Sequence, residues 1–246
     1  MVNTNKLMVS FGNMSKERKK QRMKIINGSN IERTENWRVL LYGKPGIGKT
    51  TLIKQLKGKT LVLSLDNSQR VLAGSENIDV VEFDREHPTD CMTNFLKEVD
   101  EILPEYDNLV IDNISSFQSD WFIEQGRTSK NGIGNELQHY SLWTNYFLRV
   151  LTAIYSKPIN IYVTAWEDTR DLNLETGQII TQYVPEVRSS VLNKLLGLTD
   201  VVGRIIVNEK TGGRGVVLEG SEGTYAKNRL DKRTVCSIEE VFEFEA

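Results

Sequence analysis

The chain alternates between two kinds of apolar segment. Short β-branched runs lie at residues 37–42, 60–66, 78–83, 109–112 and 159–164. Longer stretches with apolar residues three and four positions apart cover residues 89–103, 137–154 and 186–198. Continuous apolar runs of this length are typical of strands covered on both faces, and the longer pattern is typical of helices. The pattern therefore predicts an α/β fold with a mainly parallel sheet flanked by helices.

Two further segments predict antiparallel hairpins. Residues 204–208 and 215–219 are strand-like and flank Thr211-Gly212-Gly213, a glycine-containing turn that joins adjacent strands. Residues 168–185 predict a less regular hairpin with its turn near Gly177. The predicted fold class is therefore a P-loop α/β domain with an antiparallel hairpin toward its carboxyl end.

A glycine-rich loop joins the first predicted strand to the apolar segment that follows it. Its spacing, G-x-x-x-x-G-K-[ST], is that of the phosphate-binding loop of nucleoside triphosphatases. Glycines let backbone N–H groups turn inward around a phosphate, and the lysine and hydroxyl reach the phosphates and Mg²⁺. An ordinary glycine-rich turn is the alternative, and the strand–helix context disfavours it. We expect ATP and Mg²⁺ to bind residues Gly43, Lys44, Pro45, Gly46, Ile47, Gly48, Lys49, Thr50 and Thr51.

Acidic residues follow several of the predicted strands. Asp66 ends the second strand, and Asp112 ends the apolar run 109–112. In parallel sheets ligands bind at the carboxyl ends of the strands. Behind a phosphate-binding loop, Asp112 is expected to orient Mg²⁺ together with Thr50. The segment from Thr164 to Glu167, which follows a later strand, is a candidate sensor of the γ-phosphate.

Composition limits the classes of protein that fit. The chain has 246 residues, a formal net charge of −2 and two cysteines. Because positive and negative side chains nearly balance, the molecule as a whole is not a polycation, and any contact with nucleic acid must come from a local patch of positive charge. The sequence has no apolar run long enough to span a bilayer, and we expect a cytoplasmic protein with no membrane partner. We divide it into a basic extension (1–23), an ATPase domain (24–235) and an acidic tail (236–246).

Five short motifs together resemble the RecA-like core of P-loop ATPases. They lie at residues 41–51, 109–113, 163–167, 198–204 and 226–229. More narrowly, the chain resembles a small phage family of nucleotide-binding proteins with that core, some of whose members are single-strand-annealing recombinases. The first two motifs are shared by many ATPases, and the later three narrow the family.

The resemblance implies roles for individual residues. Lys49 and Asp112 take the phosphate and metal roles described above. Asp66 stands where RecA-like proteins usually place a catalytic glutamate, but it is one methylene shorter, so Glu82 and Glu167 remain rival candidates. The pair Lys227-x-Arg229 resembles the finger with which ring helicases and RecA-like filaments reach a neighbour's γ-phosphate. A solvated turn is the alternative for that pair.

The resemblance also places DNA-binding loops at residues 125–135 and 168–183. The first contains Arg127 and Lys130, whereas the second contains Arg170 but also several acids. The expected function is a DNA-stimulated, Mg²⁺-dependent ATPase that binds single-stranded DNA and promotes annealing or recombination. We expect a homo-oligomeric ring or filament, a single-strand-binding protein as a further partner, and the host cytoplasm as location if a phage encodes it. A ring helicase or helicase loader, a nucleotide kinase and a nucleotide-gated interaction protein remain alternatives.

Overall fold

The structure is a computed structural model that describes residues 25–244. The chain separates into two units, residues 1–32 and residues 33–246. In the first unit the described part contains one turn of 3-10 helix, Gly28–Asn30. The predicted basic extension, residues 1–23, lies outside the described residues. No described helix combines the length and the apolar character that crossing a membrane requires.

The described part of the second unit, residues 33–244, contains a nine-stranded sheet, a separate two-stranded sheet and four α-helices. The order in the large sheet is β11-β9-β8-β1-β5-β4-β2-β3, with β10 paired to β8, and β6 pairs with β7 apart from it. The helices are α1 (Pro88–Ile102), α2 (Ile114–Arg127), α3 (Leu137–Tyr155) and α4 (Ser189–Leu198). The strands are β1 (Arg38–Tyr42), β2 (Thr60–Ser64), β3 (Ile78–Glu82), β4 (Asn108–Asp112), β5 (Asn160–Ala165), β6 (Glu167–Asn173), β7 (Ile179–Pro185), β8 (Val201–Val207), β9 (Arg214–Val217), β10 (Lys227–Asn228) and β11 (Val235–Ser237).

The strand directions confirm the predicted fold class. Along the sheet, the neighbouring strands β3, β2, β4, β5, β1 and β8 run parallel. Strands β8, β9 and β11 form an antiparallel end of the same sheet. The predicted hairpin around Thr211 is present as β8 and β9. Strand β5 lies between β1 and β4. This strand order brings the carboxyl ends of β1, β2, β4 and β5 to one edge of the sheet.

The two faces of the sheet are covered differently. Side chains alternate between the faces along each strand, so Leu40 and Tyr42 belong to one core cluster and Val39 and Leu41 to the other. All four α-helices contribute to the first cluster. Short 3-10 helices, Trp37 and the residues after β11 contribute to the second cluster.

The carboxyl-terminal segment packs as part of the second core cluster. Ile238 and Val241 are buried, and the Phe242 ring stacks on Trp37 with 5.6 Å between centroids. Phe242 also meets the Tyr162 ring edge-on at 5.0 Å. Acidic side chains in this segment, such as Glu239, remain exposed. The acidic tail was set apart above as residues 236–246, and its described part, residues 236–244, alternates between core and solvent.

Three local features differ from the sequence-based expectations. The helix expected after the glycine-rich loop is a five-residue 3-10 helix, Thr51–Gln55, because Leu56 is extended and Gly58, at φ +85°, turns the chain into β2. Helix α2 was not predicted, since buried polar residues such as Asp120 interrupt its apolar pattern. Leu137 begins the predicted apolar stripe of α3 but is 88% exposed, because it lies in the first turn beyond the core.

We expect Phe242→Ala to lower the free energy of unfolding by about 2 kcal/mol, because it removes a ring that packs on Trp37 and Tyr162. Glu239→Ala, in the same segment but exposed, is the matched control and should change stability by less than about 0.5 kcal/mol. Urea unfolding followed by tryptophan fluorescence measures both. Equal stability of the two variants would contradict a structural role for this segment.

Candidate active site

The glycine-rich loop leaves the carboxyl end of β1 and is held by its own backbone. Gly46 and Gly48 have φ values of +78° and +110°, which L side chains rarely adopt. The Ile47 N–H donates to the Lys44 carbonyl at 3.3 Å, and the Leu52 N–H donates to the Gly48 carbonyl at 3.1 Å. These bonds turn the loop back into the 3-10 helix that follows.

Lys49 points back into this loop. Its Nζ donates to the carbonyls of Gly43 at 2.8 Å and Lys44 at 3.1 Å, and only 6% of the residue is exposed. The Tyr162 hydroxyl on β5 donates to the Lys49 carbonyl at 3.0 Å. The lysine is thus fixed from both sides at the start of the loop.

A chain of hydroxyl groups connects the loop to the end of β4. The Thr50 and Ser68 hydroxyls lie 3.2 Å apart, and Ser68 donates to Asp112 Oδ2 at 3.4 Å. The other oxygen of Asp112 accepts a short hydrogen bond from the Thr164 hydroxyl at the end of β5. Three strands and the loop therefore meet at one carboxylate.

Asp66 lies beside these hydroxyl groups, two residues after β2. Its Oδ1 accepts from the Ser68 N–H at 3.0 Å, and its Oδ2 accepts from Asn113 Nδ2 at 2.7 Å. Asn113 also caps α2, since its side-chain oxygen accepts from the Ser116 N–H at 2.8 Å. The cap of α2 thus fixes the Asp66 carboxylate at the same edge as Asp112.

Burial perturbs both charged groups at the centre of the site. It raises the pKa of Asp112, which is 1% exposed, and the nearby Asp66 charge raises it further. Burial lowers the pKa of Lys49, whereas the carboxylates of Asp112, Asp66 and Glu167 raise it. The site therefore holds a buried lysine and a buried aspartate, with the half-buried Asp66 beside them, and a bound cation or anion would interact strongly with the two buried groups.

The rival acids have different surroundings. Glu82 ends the edge strand β3 and is exposed. Glu167 accepts from Arg204 Nε at 2.6 Å, and their side chains are only 7% and 16% exposed. The Arg204 guanidinium also lies 3.4 Å from the centre of the Tyr183 ring. Glu167 is thus bound in an ion pair at the base of the β6–β7 hairpin, whereas Asp66 lies among the groups that meet at Asp112.

Comparison with known proteins gives the family. A family model described as an AAA domain matches residues 35–230. The chain belongs to this family. A KaiC-like protein from the hyperthermophilic archaeon Pyrococcus horikoshii OT3 is similar at 17% identity, with 74% of this chain and 78% of that chain covered and a TM-score of 0.45. A comparison with curated proteins found no match.

This AAA domain is therefore a P-loop nucleoside triphosphatase, and its family generally uses ATP and Mg²⁺. The residues present fit such a ligand. Thr50, Ser68 and Asp112 offer oxygen atoms only, the ligand type that Mg²⁺ prefers, and one or two carboxylates are usual when phosphates complete the coordination. The two left-handed glycines leave backbone N–H groups free to face a phosphate.

The structure places Lys227 and Arg229 away from the loop of their own chain. Lys227 lies opposite Val202, and the Arg229 N–H donates to the Asp200 carbonyl beside the start of β1. Strand β1 separates that point from the loop by about 13 Å at ~3.3 Å per residue. Both side chains donate to carbonyls at the end of α4. Lys227 donates to the carbonyls of Leu196 and Gly197, and Arg229 donates to that of Gly197. Burial lowers the pKa of Lys227 to about 8.

Two residues at this site were not predicted from the sequence. Ser68 bridges Thr50 and Asp112, and Arg214 lies against Gly48. The signal for Ser68 was weak, a hydroxyl two residues after a predicted strand that ends in Asp66. Arg214 gave no signal, because it lies 166 positions after Gly48 and stands in a hairpin without a motif.

We expect Asp66→Asn to reduce turnover about 100-fold or more, since an amide cannot accept a proton from water. Glu167→Gln should keep turnover within a few-fold of wild type but lower thermal stability, because Arg204 loses its charged partner. ATP hydrolysis at saturating substrate and thermal unfolding of each variant measure this. The reverse ranking of the two variants in turnover would assign the base to Glu167.

Proposed function

We propose that this AAA domain is a phage-type, RecA-like ATPase that binds single-stranded DNA and promotes annealing or strand exchange. The observation that carries the hydrolytic part is the convergence of Lys49, Thr50, Asp66 and Asp112 at the carboxyl edge of the sheet. Lys49 and Thr50 belong to the glycine-rich loop, and the two acids lie at the ends of separate strands.

Each residue has a distinct task in the proposed reaction. Lys49 binds the β- and γ-phosphates and stabilises charge that develops as water attacks the γ-phosphate. Thr50 and Asp112 would hold Mg²⁺, which neutralises phosphate charge when bound. Asp66 orients the attacking water, and its position is fixed by Asn113 and Ser68.

The loop between α2 and α3 supports the proposal of DNA binding. Arg127 and Lys130 are exposed, and so are Ile133 at 86% and Leu137 at 88%. Large apolar side chains beside cations are suited to a ligand with both phosphates and bases, because cations pair with phosphate while apolar groups contact base faces. The Arg127 guanidinium donates to the Glu86 carbonyl at 3.0 Å, which orders the start of the loop.

The β6–β7 hairpin contributes less to such a surface. Its exposed side chains include Asp168, Asp171 and Glu175. Arg170 is already engaged, since its guanidinium donates twice to Gln182 Oε1 at 3.1 and 2.9 Å. We therefore assign DNA contact to the α2–α3 loop.

Single-stranded DNA should raise ATP turnover, and its affinity should fall as salt rises, because lysine and arginine displace cations condensed on the phosphates. The double variant Arg127→Ala/Lys130→Ala should lose most of both effects. Lys97→Ala/Arg149→Ala, two exposed cations on α1 and α3, is the matched control. Turnover and fluorescence anisotropy with a labelled oligonucleotide measure the two effects. DNA binding that is absent at low salt with ATP present would favour the kinase or the nucleotide-gated interaction protein.

The positions of Lys227 and Arg229 generate a test of assembly. Because these cations lie far from their own loop, any catalytic role they have is at a neighbour's site, and such fingers contribute about 10³–10⁵ in rate. Turnover per subunit should rise with protein concentration. Arg229→Ala should lose turnover yet bind ATP, and mixing it with Lys49→Ala should restore part of the activity.

Mixing restores activity because each variant supplies what the other lacks. Arg229→Ala has an intact loop, and Lys49→Ala has an intact finger. Turnover that does not depend on concentration, with no recovery on mixing, would leave Lys227 and Arg229 as capping residues of α4 in a monomeric ATPase. Unwinding of a forked duplex in place of annealing would favour the helicase alternative.

A further inference from the structure

The β8–β9 hairpin places an arginine against the glycine-rich loop of the same chain. Arg214 begins β9 and pairs with Val207 at the end of β8. A Cβ atom built on Gly48 would lie 2.6 Å from Nη1 and 3.6 Å from Cζ of Arg214. The guanidinium therefore occupies the space beside Gly48 that a side chain would need.

Arg214 is exposed, and its guanidinium has no hydrogen bond, ion pair or aromatic partner among residues 25–244. Some arginines of the domain are engaged by carboxylates: Arg85 binds Asp120 through two bonds, and Arg233 binds Asp231. Arginine donates five N–H groups in a planar fork that matches phosphate oxygens. An arginine at a phosphate-binding loop with its donors unused is suited to bind an anion there.

The place of Arg214 along the loop indicates which phosphates it meets. Backbone N–H groups of such loops surround the α- and β-phosphates, whereas the loop lysine reaches the β- and γ-phosphates. Arg214 lies beside Gly48, at the position a Cβ atom would take, and so next to this backbone and not next to the Lys49 ammonium, which donates to the Gly43 and Lys44 carbonyls.

We propose that Arg214 is a nucleotide-binding residue, supplied by the chain that holds the nucleotide, which binds the α- and β-phosphates from the β8–β9 hairpin. This inference rests on the proposed nucleotide site and adds a residue to it. It differs in kind from the finger of Lys227 and Arg229, which requires a neighbour. It also gives the hairpin a function, because the turn at residues 208–213 carries the arginine to the loop.

A contact with the α- and β-phosphates stabilises ADP and ATP equally. Arg214→Ala should therefore weaken the binding of both nucleotides by a similar factor, about tenfold or more for a charge-assisted contact. At saturating ATP, turnover should stay within a few-fold of wild type, whereas KM should rise. Arg214→Lys should recover only part of the affinity, since an ammonium lacks the planar fork.

The experiment titrates fluorescent N-methylanthraniloyl derivatives of ATP and ADP into the full-length protein and into each variant. Lys210→Ala is the matched control, because Lys210 is an exposed cation in the same hairpin turn. Thermal unfolding without nucleotide checks folding, and Arg214→Ala should melt as wild type does, since the side chain has no protein partner in the described residues.

The outcomes separate this inference from the proposed function. Wild-type protein that binds neither nucleotide would overturn the proposed function. Wild-type protein that binds both, with Arg214→Ala unchanged, would overturn the role of Arg214 alone. Loss of ATP affinity with ADP affinity retained would place the contact at the γ-phosphate and contradict the inference. An equal loss of nucleotide affinity in Lys210→Ala would mean that the overall positive charge of the hairpin, and not a specific contact of Arg214, causes the effect.

Discussion

One buried carboxylate organises the candidate site. Asp112 ends a strand that is buried along its whole length, so its charge lies where water cannot solvate it. An isolated charge in that place would be very costly, and the protein surrounds it with hydroxyl donors and Lys49. Each of these donor groups is supplied by a different segment of the chain. The parallel register of the strands is therefore what allows the carboxylate to be buried at all.

The same register connects the second core cluster to the phosphate-binding loop. Tyr162 on β5 donates to the Lys49 carbonyl and meets the Phe242 ring edge-on. Phe242 in turn stacks on Trp37, the residue before β1. The carboxyl-terminal segment thus packs against a side chain that holds the phosphate-binding loop. Residues far from the chemistry and late in the chain support the position of Lys49.

Four cations of the carboxyl-terminal part of the domain divide into three groups by their surroundings. Arg204 is bound to Glu167 and Tyr183, and it stabilises the base of the β6–β7 hairpin. Lys227 and Arg229 bind carbonyls at the end of α4, at the far end of β1 from the loop. Arg214 alone among these four lies at the loop, with no side-chain partner in the described residues. Sequence proximity predicts none of this division, since Lys227 and Arg214 lie only thirteen positions apart.

The sequence by itself determined the fold class and the phosphate-binding loop, because both depend on local patterns. Buried strands read as continuous apolar runs, and the loop requires fixed residues at fixed spacing. The sequence also indicated Asp66 and Asp112, since a polar residue at the end of an apolar strand lies at the sheet edge. It did not indicate α2, whose buried polar residues are satisfied by distant partners such as Arg85 for Asp120.

Only the tertiary structure decided which of these groups meet. Glu167 and Asp66 are both acids after strands, but Arg204, on a strand 37 positions later, pairs with Glu167 alone. The glutamates of residues 236–246 indicate an acidic tail, and only the structure shows that the Phe242 and Phe244 rings among them pack on Trp37, at the start of the domain. Contacts of this kind depend on the order and direction of strands in the sheet, which no local pattern of residues specifies.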